Sequence, residues 1–342
     1  MKKNNLILVA ILAVGLIILA GILIKRELSE NTNKTLRDFA VSDTATINKI
    51  FLVNMNKDHV LLERSDSGWI INGQYKARKD LINILLETVK RIEIKSPVTE
   101  KKLPKVMRDM ASMGTKIEIY QKNKLVKTYY VGSDDSNNLS TYMIMEGSNR
   151  PFAIHLPGFT GFLSIRYSTE IGEWRERIVF KYDLKDIKKV KIIYPSDMQN
   201  SFIIEKNDGK YNLKTIIGEN VDFIPDTIKM KEMFNLIKYI GFEAFLNPKI
   251  HQQKLDSLKT QPILCQYEVT NHKGQTKMLK TYTRPNISKA MNDDGEFYEY
   301  DIDFLYGIIE DDLQVVLLQY YVIDPITRKL SEFKINFDKI KK

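Results

Sequence analysis

The chain repeats itself. "DTATINKIFLV" begins at Asp43 and "DLKDIKKVKII" at Asp183, and an offset of 140 lays Ile47 on Ile187, Lys49 on Lys189 and Ile50 on Val190. "LLERSDSGWIIN" and "IIEKNDGKYNLK" follow at an offset of 142, with Glu63 on Glu205, Asp66 on Asp208 and Trp69 on Tyr211. In each copy a glycine-bearing turn, Asp66-Ser67-Gly68 or Asn207-Asp208-Gly209, separates two strand-like runs. That pattern is a hairpin signal. A repeat of this length means one supersecondary plan used twice, so whatever the first half folds into, the second half is expected to fold into as well.

A helix comes next in each copy. Leu81, Ile82, Leu85, Leu86, Val89 and Ile92 make one apolar stripe, and Met230, Met233, Phe234, Ile237 and Ile240 make the other after a Pro225-Asp226 start signal. Stripes of this spacing are core faces of helices laid on a sheet. Alternation then returns in "KIEIYQKNKLVKTYYVG" and in "QYEVTNHKGQTKMLKTYT", each turning around polar residues at Asn123 or Lys273-Gly274. "TYMIMEG" with "PFAIHLP", and "EFYEYDI" with "LQVVLLQYYVI", read as the closing strands. Each copy is three strands, one or two helices, then four strands. Short hairpins imply antiparallel pairing, so the predicted class is α+β: two tandem duplicated modules of antiparallel sheet with helices packed on one face. The modules are placed at 43–157 and 179–342.

Ahead of them lies a different kind of sequence. Leu6 to Ile24 is nineteen uncharged residues, all apolar apart from two glycines. As a helix this run spans roughly 28 Å, close to the hydrocarbon thickness of a bilayer. It is longer than the apolar part of a cleavable signal and ends in "GILIKRE" without a small-residue cleavage site, so residues 1–26 read as a signal-anchor transmembrane helix. Lys2 and Lys3 precede it, Lys25 and Arg26 follow it. A short tail before a long following domain favours the N-terminus inside, which places the bulk of the chain on the extracytoplasmic side of the inner (cytoplasmic) membrane. Residues 27–42, "ELSENTNKTLRDFAVS", read as a polar tether.

Between the modules runs "PGFTGFLSIRYSTEIGEWRER", Pro157 to Arg177. Its glycines permit tight turns, and Phe159, Phe162, Leu163 and Trp174 are read as pins of an ordered joint over 158–178. Arg166, Trp174, Arg175 and Arg177 are the candidate ligand- or partner-binding residues, because arginines can clasp a carboxylate or phosphate. Glu170, Glu173 and Glu176 stand close by in sequence and favour local ion pairs instead.

Other chemistry is thin. The net charge is +9, but residues 1–26 hold four cations and no acid, leaving +5 on the remainder. No Lys/Arg block carries interleaved aromatics, so nucleic acid is not an expected partner. Cys265, the single cysteine, lies in an apolar strand-like run and reads as a packing residue. His59, His155, His251 and His272 share no metal-ligand spacing, and there is no HExxH, CxxC, GxSxG, P-loop or GxGxxG. No cofactor, metal or catalytic residue is therefore assigned. Asp134-Asp135 and Asp293-Asp294 are carboxylate pairs that a hydrolase could use, and they read as solvated loop acids.

"RPFAIHLPGFTGFLSIRY", "EWRERIVF", Trp69 with Asn72, and the "YVG" at Tyr130–Gly132 resemble a family of bacterial membrane-anchored proteins classed as a domain of unknown function. The resemblance spans nearly the whole chain. It implies genomic neighbours of the gliding-motility ABC-transporter type and an accessory role at an envelope transporter, with no enzyme activity to carry over. Two functions are expected from these readings. One is a membrane-anchored extracytoplasmic accessory or scaffold protein binding other envelope proteins, such as an ABC-type transporter complex. The other is a solute- or glycan-binding module with a cleft between the two modules.

Overall fold

A computed structural model describes residues 36–311 and 313–335. The apolar run and the first part of the tether lie outside the described residues. Among those described, no helix is long and apolar enough to cross a membrane. The chain divides into two units, residues 1–176 and 177–342, each with its own antiparallel sheet.

In the first unit the strands are β1 (Ile47–Asn54), β2 (His59–Ser65), β3 (Gly68–Ile71) and the short β4 (Tyr75–Lys76). Helix α1 (Lys79–Arg91), β5 (Glu93–Pro97) and α2 (Leu103–Met113) follow, then β6 (Thr115–Gln121), β7 (Lys124–Asp134), β8 (Thr141–Met145) and β9 (Phe152–His155). They make one sheet in the order β4-β3-β2-β1-β6-β7-β8-β9-β5. The second unit opens with β10 (Ile178–Lys181). Its main sheet uses β11 (Ile187–Ile193), β12 (Phe202–Asn207) and β13 (Lys210–Thr215). After α3 (Thr227–Ile237), β14 (Tyr239–Gly241), β15 (Ala244–Phe245) and α4 (Pro248–Lys259) come β16 (Cys265–Asn271), β17 (Thr276–Tyr282), β18 (Phe304–Ile309) and β19 (Gln314–Gln319). That sheet runs β13-β12-β11-β16-β17-β18-β19-β15, and β10 pairs with β14 in a separate ribbon.

The two orders coincide strand for strand from β3/β13 to β9/β19. Register agrees too. Lys49 faces Glu63 across β1–β2, and Lys189 faces Glu205 across β11–β12. The β1–β6 ladder slips between Ile47 and Lys49, and the β11–β16 ladder slips between Ile187 and Lys189. A bulge inserts one residue. It explains why Ile47 and Ile50, three apart rather than two, are both buried.

The helices do not share one face, contrary to the sequence expectation. In the first unit Ile82, Leu85 and Val89 of α1 join a core with Ile50, Leu52, Ile117, Ile119, Met143 and Met145. Val106 and Met110 of α2 join a separate core with Tyr142, Ile144 and Ala153. Successive strand residues point to opposite faces, so α1 and α2 cover opposite sides of the sheet. The second unit does the same. Met230, Met233 and Phe234 of α3 pack with Leu305 and Ile309, and Leu255 and Leu258 of α4 pack with Tyr306 and Ile308. Two-sided burial is why β8 is buried at every position. Asp226 caps α3, its carboxylate accepting from the Ile228 and Lys229 amides.

Three further boundaries differ from expectation. "EFYEYDI" is a loop, and the strand begins after it at Phe304. Residues 36–42 are not a free tether: Phe39 and Val41 are buried in the first core, and the Val41 amide donates to the Val89 carbonyl at 3.0 Å. Residues 158–176 fold into the first unit because Leu163, Tyr167 and Trp174 are part of its core. Ile178, placed in the joint, opens β10.

Candidate functional site

The segment after β9 is built around glycine. Gly158 has φ 80° and Gly161 φ 146°, values that residues with a side chain rarely adopt. A Cβ on Gly161 would come within 2.9 Å of the Phe159 ring. That ring therefore lies directly over the glycine, and the Arg166 guanidinium sits 4.1 Å from the ring centroid. Arg166 also donates from Nη1 to Thr88 Oγ1 on α1 at 2.7 Å, and Thr88 donates in turn to the Ile84 carbonyl. No carboxylate meets Arg166 among the described residues. Burial pulls its pKa down from the ordinary arginine value.

The rest of the segment is tied into the sheet. The Leu163 amide donates to Thr141 Oγ1 at 3.0 Å, and the Ser164 hydroxyl donates to Asp134. Tyr129 donates to the Tyr167 hydroxyl at 3.2 Å in the core. What this anchoring leaves outside is apolar: Phe159 and Phe162 are exposed, and Ile165 is 71% exposed. In the sequence both phenylalanines read as pins of the joint, and Ile165 carries no such assignment. The signal it had was the three-residue spacing of Phe159, Phe162 and Ile165 on a glycine-punctuated segment.

The four candidate binding residues take separate positions. Trp174 is a core residue, its indole donating to the Ser168 carbonyl at 2.9 Å. Arg175 lies over the Tyr75 ring at 3.9 Å. Arg177 belongs to the second unit, where it donates to the Glu243 carbonyl. Arg166 combines partial exposure with the lack of an acid partner among the described residues.

The members of the first carboxylate pair take separate partners. Asp134 accepts from Thr141 and Ser164, while Asp135 accepts from Tyr142 and Lys102. Asp293 and Asp294 are exposed in a loop. Nε2 of His251 accepts the Val315 amide at 3.1 Å. Among the described residues no three His, Cys, Asp or Glu side chains stand close enough to hold a metal ion.

Cys265 is buried, as its sequence context predicts, and burial pushes its thiol up to about 12. Burial also raises the Tyr167 phenol to about 12. Both groups favour folding while protonated. The unfolded chain loses its thiol proton near 8.5 and its phenol protons near 10. From about pH 7.5 upward it therefore binds fewer protons than the folded state, and stability falls as pH rises. Urea midpoints should drop between about pH 7.5 and 10.5, with a smaller drop in Cys265→Ala. A midpoint that rises over this window contradicts the assignment.

Comparison of the chain with family models, curated proteins and solved structures gives no match.

Proposed function

We propose that this is a membrane-anchored, extracytoplasmic accessory or scaffold protein that binds other envelope proteins, with an ABC-type transporter complex as the expected partner. The anchor is the apolar run from Leu6 to Ile24. The body is one α+β plan used twice in tandem. Matching strand orders and two ladder slips at equivalent residues support that reading. The observation that carries partner binding is the segment after β9, where Phe159, Phe162 and Ile165 stay exposed while the Leu163 amide is tied to Thr141 and the Ser164 and Arg166 side chains to Asp134 and Thr88. Apolar side chains held rigidly in solvent lose little conformational freedom when a partner covers them.

The test is purification from detergent-solubilised membranes, comparing wild type with Phe162→Ser/Ile165→Ser. A partner that co-purifies with wild type and is lost from the double variant supports the proposal. A protein that elutes alone at every detergent and salt condition rejects it. A C-terminal phosphatase fusion that is inactive rejects the extracytoplasmic placement.

A solute- or glycan-binding role draws on one observation, the acid-free Arg166. Anionic sugars should then raise the melting temperature of wild type and leave Arg166→Ala unmoved. Equal shifts in both proteins dispose of this reading.

A further inference from the structure

The two units serve as controls for each other, since a feature present in one and missing at the equivalent place in the other is a departure from the common plan. Two departures stand out, and their chemistry is opposite. The first is the β6–β7 hairpin tip. Ile119 pairs with Lys127 in the first unit, and Val269 pairs with Lys277 at the equivalent position in the second. The next pairs are Tyr120 with Leu125 and Thr270 with Thr276, so Leu125 takes the place of Thr276 and Val126 is the extra residue of a bulge that the second unit lacks. Leu125 is 53% exposed and Val126 is also exposed. Lys122 and Lys124 immediately precede them and form no ion pair among the described residues. The tip is held rigid: Lys122 and Asn123 both have positive φ, and Asn48 exchanges two hydrogen bonds with Asn123.

The second departure is the connection between the next two strands. In the first unit β7 and β8 are joined by residues 135–140, and in the second β17 and β18 are joined by residues 283–303. The long loop is internally braced. Arg284 pairs with the buried Asp301, and Asn286 bonds to the backbone of Ala290 and Tyr298. Bridges join Pro285 to Tyr300 and Met291 to Phe297. This bracing holds apolar side chains in solvent: Phe297 is 59% exposed, and Ile287, Met291, Tyr298, Tyr300 and Ile302 are exposed as well. Around them stand Asp293, Asp294, Glu296, Glu299 and Asp303, all exposed and none paired with a cation among the described residues. Lys289 is the only exposed cation of the loop.

We infer that copies of this chain associate head to tail, the basic apolar β6–β7 tip of one copy docking on the acidic aromatic loop 283–303 of the next. Charge decides against a bilayer as the loop's occupant, since anionic lipid repels five unpaired carboxylates. A second copy carries the complementary surface. Aromatic side chains flanked by acids are suited to take Leu125 and Val126 with the two lysines beside them. Docked head to tail, with one tip-to-loop contact between successive copies, the chain builds a ring or an open row.

The experiment is sedimentation velocity on the full-length protein in detergent, over a concentration series at low and high salt. Wild type should assemble beyond the monomer and weaken with salt. Lys122→Glu/Lys124→Glu should weaken assembly at least about tenfold, and so should Glu296→Lys/Glu299→Lys. Combining all four changes in one chain should return affinity to within about threefold of wild type. Mixing the two double variants should restore assembly, with the two alternating, that neither shows alone. Circular dichroism melts check that each variant folds, which its exposed positions favour. Wild type that stays monomeric up to about 100 µM, or assembly indifferent to both charge reversals, overturns the proposal. So does a four-fold variant that stays as weak as either double variant. The outcome is independent of the partner test at Phe162 and Ile165, which lie on another segment.

Discussion

Trp174→Ala is expected to destabilise the first unit by about 3–5 kcal/mol, the usual cost of deleting a buried large aromatic. The side chain is 3% exposed and lies in the same core as Ile82, Leu85 and Tyr167. Two further losses accompany the cavity. The Ser168 carbonyl loses its indole donor. The backbone around Trp174 also holds the unit's edge: its carbonyl accepts the Arg78 amide at 2.7 Å at the start of α1, and the Glu176 amide donates to the Lys76 carbonyl at 2.9 Å. Trp174→Phe keeps most of the volume and loses only the indole bond, so it should cost about 1–2 kcal/mol. The readout is specific. Both tryptophans of the chain, Trp69 and Trp174, are in the first unit, so Trp69 fluorescence in the alanine variant follows that unit through a urea titration. A loss below about 1 kcal/mol with an unchanged urea slope would place Trp174 outside the core and return it to the list of binding candidates.

The duplication was legible because it is written in positions that must be apolar or must turn. Ile47 and Ile187 sit at the same ladder slip, and the Asp66 and Asp208 turns join equivalent strands. The Pro225-Asp226 signal worked for a local reason, since a cap is made by neighbours in sequence. Helix placement was harder. "TYMIM" and "FLYGII" are unbroken apolar runs, the mark of a strand covered on both faces. With "TYMIM" read as an ordinary closing strand and "FLYGII" passed over for "EFYEYDI", the second layer formed by α2 and α4 stayed hidden. "EFYEYDI" failed differently. It has strand composition, but Asp301 is fixed through Arg284, seventeen residues away, and a pairing at that separation leaves no local pattern. The joint misled for the same reason. Trp174 is unmistakable as an anchor, but which core receives it depends on Arg78 and Ser168, contacts that only the folded chain brings together. Of the candidate site, the glycines and Arg166 could be read in advance. The exposure of Phe159, Phe162 and Ile165 could not, because it depends on what Leu163 and Tyr167 bury.

Asp301→Ala is expected to cost about 3–5 kcal/mol, because it leaves a largely buried guanidinium without its counter-charge. The Asp301 side chain is 2% exposed and Arg284 is 19% exposed. The same carboxylate does more than pair. Its Oδ1 accepts the Asp303 and Phe304 amides, each at 2.9 Å, at the point where β18 begins. The Asp301 amide donates to the Arg284 carbonyl at 2.8 Å and closes the loop at its base. Loss should therefore appear first as faster hydrogen exchange at Asp303 and Phe304, and as new proteolytic cleavage between Ile287 and Tyr300. The comparison that separates charge from shape is Arg284→Met/Asp301→Leu. Replacing both members of a buried pair by apolar residues is often close to neutral, whereas removing one is not. The double variant should therefore recover most of the charge penalty while keeping the loss of the two amide bonds, about 1–2 kcal/mol. A double variant as unstable as Asp301→Ala would mean that the amide bonds, not the ion pair, brace the loop. Asp301→Ala should also weaken assembly between copies without altering any exposed charge, because the aromatic side chains that receive the hairpin tip would no longer be held in place. Assembly at wild-type strength from a loop shown by exchange to be loosened would mean that bracing is not what organises that surface.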